Sequence, residues 1–219
     1  MRQGHFRLNR LLSEPLTQFL LKTPFTPNHV TVLSMLFGIG AGFLFATGER
    51  VPSLLAVFCY QIAIVLDNCD GEIARAKSLG SPFGAWFDIF ADFTTDLSLF
   101  LGIALGALRQ GKEGPVLLFA ALCLTGEVLH LAIVIMEKLR GFGPAVYEKP
   151  NPEVVRRKNV IFNFFDALRE GESSWFVVLF VLAGKSIWLL WFGGVYMQFL
   201  WMGALFLNFR YLFWKKAPQ

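Results

Sequence analysis

Four aspartates dominate the chemistry this chain could perform. Asp67-Asn-Cys-Asp70-Gly71-Glu-Ile-Ala74-Arg75 closes one apolar run, and eight residues further on Gly84-Ala-Trp-Phe-Asp88-Ile-Phe-Ala-Asp92 opens the next. On helices, Asp67 and Asp70 stand three apart and Asp88 and Asp92 four apart, so each pair shares one face. In a chain that is 55% hydrophobic, four like charges at such a junction repel one another unless something positive sits among them. Hard oxygen ligands in that number suit Mg²⁺, Mn²⁺ or Ca²⁺. A divalent cation held by carboxylates beside a membrane is equipment for phosphate chemistry. Asp67, Asp70 and Asp88 are the leading ligand candidates, with one or two ions both open. A solvated corner accounts for one or two aspartates, but not for four with glycine and arginine between them.

The elements that must position these acids are membrane helices. With 219 residues, 24 Phe and 6 Trp and a mean hydropathy of +0.52, the chain carries more apolar surface than a soluble domain of this size. The reading is an all-α integral membrane protein with six transmembrane helices, at about 30–47, 52–66, 91–108, 115–136, 175–192 and 195–213. The second helix is expected to run on through Asp67 and Asp70 to about residue 76. The third is expected to begin near residue 83, so that Asp88 and Asp92 lie on its first turns, with the turn between them at 78–82. Ahead of the first span, residues 11–21 place Leu11, Leu12, Leu16, Phe19 and Leu20 at near-helical spacing, which predicts an amphipathic helix lying flat at the interface. Thr26 reads as the N-cap of the first span with Pro27 at its first position. The chain thus divides into an N-terminal arm and interfacial helix (1–29), a six-helix catalytic membrane domain (30–214) and a short tail (215–219). The opening MRQGHFRLNRLLSEPL lacks the apolar core of a signal peptide.

Charge supplies the orientation. Of 20 Lys and Arg, 16 fall in the amino-terminal arm, the connection carrying Arg75 and Lys77, the long polar loop and the carboxyl end; only Arg50, Arg109, Lys112 and Lys185 fall on the other side. The positive-inside rule then puts both termini and the aspartates on the cytoplasmic face of the cytoplasmic membrane. The net charge of +4 is accounted for by topology and anionic lipid, without nucleic acid. Cys59, Cys69 and Cys123 form no CxxC pair and read as free thiols.

The pattern D-x2-D-G-x2-A-R-x8-G-x3-D-x3-D, with every fixed position present, resembles the signature of the CDP-alcohol phosphotransferases, integral-membrane enzymes that move a substituted phosphate from a cytidine diphosphate donor to a second alcohol with release of CMP. The resemblance implies that Asp92, the final aspartate, is the general base and also touches a metal, and that Gly71, Ala74, Arg75 and Gly84 line the CDP site. The residue types suit those roles. Small side chains let a nucleotide approach the helix, and the planar arginine fork suits a diphosphate. Asn28 and Thr31 match a Pro-Asn-x-x-Thr pattern found before the first span in this family, which would set them against the cytidine end of the donor; as pure structure they make a good helix start. Arg7-x-Asn9-Arg10 and the stretch from Thr23 to Thr31 look most like the subgroup related to di-myo-inositol-phosphate-phosphate synthases. There such a domain is often fused to a cytidylyltransferase, so here a separate one is expected to supply the donor. CDP-diacylglycerol and a polar CDP-alcohol such as CDP-inositol both remain candidates. Homodimers are common in the family, which makes a homodimer the expected assembly.

Other polar residues admit two readings. Arg140, Arg156, Arg157 and Lys158 could bind an acceptor bearing its own phosphate, or serve only as positive-inside charge. Asp96, four residues past Asp92, is either hydrogen-bonding support or a substrate contact. Glu127 and His130 read as a polar pair satisfying itself between helices, the alternative being a substrate site. Glu72 points away from the Asp67 and Asp70 face and reads as a solvated charge. Gly38-x-Gly40-x-Gly42 is a close-packing face. Two other functions compete: an intramembrane Mg²⁺-dependent prenyltransferase, which would release pyrophosphate rather than CMP and gives no reason for Gly71, Ala74 and Arg75, and a non-enzymatic cation transporter, whose acids should lie at mid-membrane in several helices.

Overall fold

Local sequence fixes where the helices begin. The Thr26 hydroxyl accepts from the His29 amide and the His29 ring accepts from the Thr26 amide, both at 3.4 Å, while Pro27 fills the first turn. Together they start α2 (Pro27–Ala46). Ser81 does the same for α4 (Pro82–Arg109), its hydroxyl taking the Gly84 amide at 3.0 Å. Between them runs α3 (Arg50–Ala76), which continues unbroken through both aspartates to Ala76, as the sequence predicts. The computed structural model describes residues 8–140 and 173–215. It adds α1 (Leu8–Leu20), α5 (Val116–Arg140), α6 (Ser174–Leu182) and α7 (Trp188–Lys215). Helix is the only regular structure among the described residues, and five of these helices, α2 to α5 and α7, are long and apolar enough to cross a membrane.

Helices α2 and α4 run parallel, with α3 antiparallel against α2. Gly38 faces Thr95, and Gly42 faces Ser98 and Gly102. Small residues let two backbones meet where no hydrophobic effect pulls helices together. A Cβ at Gly42 would stand 2.5 Å from the Ser98 carbonyl oxygen, and one at Gly102 would collide with the backbone of Gly42. Gly40 meets nothing within 4 Å, so the close-packing face is Gly38 and Gly42 without it. An apolar core of Phe45, Tyr60, Leu99, Phe100, Ile103, Cys123 and Leu190 fills the space among α2, α3, α4, α5 and α7. All three cysteines are free.

Two expectations need correction. The segment 175–192 is not one helix. The chain ends α6 at Leu182, turns through Gly184 with φ +70°, and begins α7 at Trp188. Gly193 and Gly194, which fall between the expected spans 175–192 and 195–213, lie inside α7. They are packing glycines: a Cβ at Gly193 would sit 2.5 Å from the Phe100 ring, and one at Gly194 would press on Phe119 at 3.2 Å. At nine residues, α6 rises about 13 Å, too little to cross a hydrocarbon core of about 30 Å.

The expected amphipathic helix forms as α1 and packs its polar face on the bundle: Asn9, Ser13 and Thr17 are 1%, 0% and 4% exposed, while Leu11, Leu12 and Phe19 stay outside. The second correction is Glu72, which is not solvated. It accepts from Ser13 Oγ at 3.3 Å and Thr17 Oγ1 at 2.6 Å, with Arg10 Nε 3.9 Å away. The helical stripe was legible in the leucines, but its partner is an acid on α3, which only tertiary packing reveals. Further along, Asn9 bonds both Gln61 (2.5 Å) and Ser174 (3.1 Å), tying α1, α3 and α6 together. The long polar loop, in which the sequence suggests some helix over 152–168, lies outside the described residues.

Candidate metal and nucleotide site

The ends of α3 and α4 bring the signature residues to one place. Carboxylate oxygens of Asp67, Asp70 and Asp88 lie within 4.8 Å of one another, the three sequence-predicted ligands. A divalent ion bound at about 2.1–2.5 Å needs its ligand oxygens within about 4–5 Å of each other, so the three fit such an ion. Their all-oxygen, anionic character suits a hard cation. Asp92, one turn past Asp88, reaches back to within hydrogen-bonding range of Asp67. It stays open to the outside, whereas Asp70 is 5% exposed. A buried ligand carboxylate beside an accessible one suits a site in which one group holds a cation and the other meets an incoming molecule.

Thr31 holds Asp70 in place. Its hydroxyl, 2.5 Å from Asp70 Oδ2 and 3.1 Å from the Pro27 carbonyl, is buried between α2 and α3. The sequence offers Thr31 as a contact for the donor; the observed side chain is spent on orienting a carboxylate, the support that ligating groups usually require. Asn28 behaves differently. Half-buried, it lies across from Gly84, with its Oδ1 3.1 Å from where a Cβ there would be. The Arg75 guanidinium folds back over Gly71, 3.2 Å from the corresponding Cβ position. Gly71 and Arg75 on α3 therefore form one wall, and Asn28 with Gly84 another, next to the acids. Ala74, half-buried on the same helix, continues the first wall.

Polar bonds lock this end of the molecule. Lys77 Nζ donates to the carbonyls of Thr23 (3.0 Å) and Phe25 (3.1 Å), pinning the α1–α2 connection to the end of α3. Lys138, from the last turns of α5, donates to the Ala85 carbonyl at 2.6 Å and stands over the Trp86 ring. That places a cation within electrostatic reach of Asp88. Sequence reading counted Lys138 only toward topology; its spacing from the motif, 50 residues from Asp88, carries no local signal. Arg140 ends α5, and Arg156, Arg157 and Lys158 lie outside the described residues.

An antiparallel helix pair that gathers these acids around a small-residue cleft defines a class, and sequence comparison identifies it. The pattern of the CDP-alcohol phosphatidyltransferase family matches residues 25–152, more than half of the chain. The chain belongs to that family. It is 44% identical over 89 residues to a bifunctional IPC transferase and DIPP synthase of Rubrobacter xylanophilus, covering 40% of this chain and 20% of that protein. The protein of the same description from Archaeoglobus fulgidus is 29% identical over 187 residues, 84% of this chain and 34% of its own. The chain thus spans between a fifth and about a third of the length of these relatives. The fold matches that of Mycobacterium tuberculosis phosphatidylinositol phosphate synthase, at 20% identity. Its complex with manganese and citrate superposes with a TM-score of 0.62 over 89% of this chain and 88% of that one. The form with CDP-DAG bound gives 0.61 over 89% and 92%.

Proposed function

We propose that this protein transfers a substituted phosphate from a CDP-alcohol to a second alcohol, releasing CMP, at the aspartate end of α3 and α4. The observation that carries this reading is the convergence of Asp67, Asp70 and Asp88 within 4.8 Å beside an accessible Asp92. Asp67, Asp70 and Asp88 would hold a divalent cation, Mg²⁺ or Mn²⁺, with Asp92 reaching a second if two are bound. The cation's contribution when bound is to neutralise the diphosphate and favour departure of CMP. The manganese complex of the mycobacterial neighbour supports a metal of this kind.

The chain's own residues do the rest. Gly71 and Ala74 leave the face of α3 bare for the nucleotide, Arg75 offers its planar fork to the diphosphate, and Asn28 with Gly84 closes the opposite side. Thr31 keeps Asp70 turned toward the cation. Asp92 accepts the proton of the acceptor hydroxyl as its oxygen attacks phosphorus, and the bond to the CMP oxygen breaks. CDP-diacylglycerol is supported as donor by the neighbour that binds it, and a polar CDP-alcohol by the IPC transferase and DIPP synthase relatives. A cytidylyltransferase reaction must supply either. Arg140, Arg156, Arg157 and Lys158 are proposed for a phosphate carried by the acceptor. The positive-inside charge supports a cytoplasmic aspartate end, and the family resemblance a homodimer; α1 at the interface, a catalytic unit over 30–214 and a short tail complete the assignment.

The test is CMP release from CDP-diacylglycerol and from polar CDP-alcohols, with Mg²⁺ and with EDTA. Chelator should silence the enzyme. Asp92→Asn should lower kcat by on the order of 10²-fold or more while donor binding, measured by calorimetry, stays close to that of the parent. Loss of donor binding in step with the rate would make Asp92 a metal ligand and not the base. Release of inorganic pyrophosphate from a prenyl diphosphate, in place of CMP, would overturn the reaction class.

A further inference from the structure

Below the aspartates, polar side chains from three helices converge inside the bundle. Asp96 follows Asp92 by one turn of α4 on the same face. It is half-buried, against an exposed Asp92 one turn nearer the end of the helix. Tyr60 on α3, 5% exposed, donates its hydroxyl to Asp96 Oδ1 at 3.2 Å. Glu127 on α5, also 5% exposed, lies within electrostatic reach of both Asp96 and Tyr60. Among the described residues, its Oε1 has no hydrogen-bond partner.

Acids at this depth in a membrane protein are costly, and such positions are kept for a ligand or a pathway. A carboxyl oxygen accepts when ionised and its O–H donates when protonated, so an alcohol hydroxyl, which does both, completes this group in either state. A phosphate, facing both Asp96 and Glu127, would be repelled.

We propose that Asp96, held by Tyr60 and backed by Glu127, forms the inner end of the acceptor site and binds the non-reacting hydroxyls of a polyhydroxy alcohol that enters with an uncharged face. This rests on the transfer reaction proposed above, with the reacting hydroxyl at Asp92 and a second hydroxyl one turn, about 6 Å, deeper. Asp96 and Glu127 select polyols over simple alcohols. Tyr60 is a positioning residue, acting through the orientation of Asp96.

The experiment compares glycerol, inositol and ethanol as acceptors, with CDP-diacylglycerol and Mg²⁺, in the parent and in Asp96→Asn, Glu127→Gln and Tyr60→Phe. Losing a charged hydrogen bond to the substrate should raise the KM for a polyol roughly 10- to 100-fold in the acid variants. The KM for donor should move far less, and the preference for polyol over ethanol should shrink by the same factor. Tyr60→Phe, which keeps the ring in its packing, should raise the polyol KM in the same direction and by less. A parent enzyme that does not distinguish inositol or glycerol from ethanol overturns the proposal. So do variants that lower kcat and raise both KM values alike, since that is the mark of a structural role. Absence of CMP release with these acceptors and with glycerol phosphate and inositol phosphate alike would instead sink the reaction class, and this inference with it.

Discussion

Far from the aspartates, α2 and α4 touch backbone to backbone; at the aspartate end the helices meet through side chains. The first region is a seam of small residues, with Gly42 against Ser98 and Gly102, and Gly48 against Gly106. Gln110 adds a bond to the Gly48 carbonyl. The second is a set of polar attachments: Thr31 to Asp70, Ser13 and Thr17 to Glu72, Lys77 to two carbonyls. Packing without side chains leaves no volume to adjust and nothing to titrate. Polar attachment orients individual oxygen atoms and leaves space between walls. The two ends are thus specialised, one for fixing the helices and the other for presenting groups to a ligand.

Substitution should separate the two. The largest effect belongs to the acids. Asp67→Asn, Asp70→Asn or Asp88→Asn should cut CMP release by on the order of 10³-fold, since each removes charge that stabilises a bound cation and hence the transition state. Thermal unfolding in detergent should hardly change, and near-parent activity in any one variant at saturating Mg²⁺ would remove that residue from the ligand set. Next comes Thr31→Val, which keeps the shape of the side chain and deletes the hydroxyl on Asp70. Apparent metal affinity should fall about 10- to 100-fold, restored by Thr31→Ser, and a Mg²⁺ titration of activity reads it directly. If donor affinity drops instead while metal dependence stays put, Thr31 belongs to the nucleotide wall after all.

At the seam the pattern should reverse. Gly102→Val forces a Cβ into the Gly42 backbone, so the protein should lose about 1–3 kcal/mol of stability or more. The fraction that stays folded should retain its metal dependence. A seam variant that folds normally but shifts the Mg²⁺ requirement would dissolve the distinction. The smallest effect is expected at Glu72→Ala, which frees α1 from α3 at a cost of about 1–3 kcal/mol. Faster proteolysis of the amino-terminal segment should be its first sign, with catalysis affected only as α1 loosens.

How legible each region was in the sequence follows from the range of its interactions. The acids, their spacing, the caps at Thr26 and Pro27, and the run of α3 to Ala76 are local features, and local propensity decided them. The boundary expected between 192 and 195 falls on Gly193 and Gly194, and a glycine pair in an apolar run suits either a break or a close approach. Which it is depends on Phe100, Cys123 and Phe119, 70 residues or more away in sequence. Likewise Glu72 carries no mark that Ser13 and Thr17 will cover it, and Tyr60 looks like any apolar span residue until Asp96 is placed beside it. Distant polar partners inside a membrane domain leave almost no periodic trace.

The contact between Gly42 and Gly102 also sets a tolerance. Asp88 stands fourteen residues from Gly102 on the same helix, a lever of about 21 Å. One degree of rocking at the crossing would therefore carry the Asp88 end by about 0.4 Å, twice the roughly 0.2 Å within which ligand distances at a metal are held. The accuracy of the metal-binding end is thus machined at the other end of the helix. The backbone contact leaves no room for that rocking, so a chain that closes this crossing at all folds with its carboxylates in register.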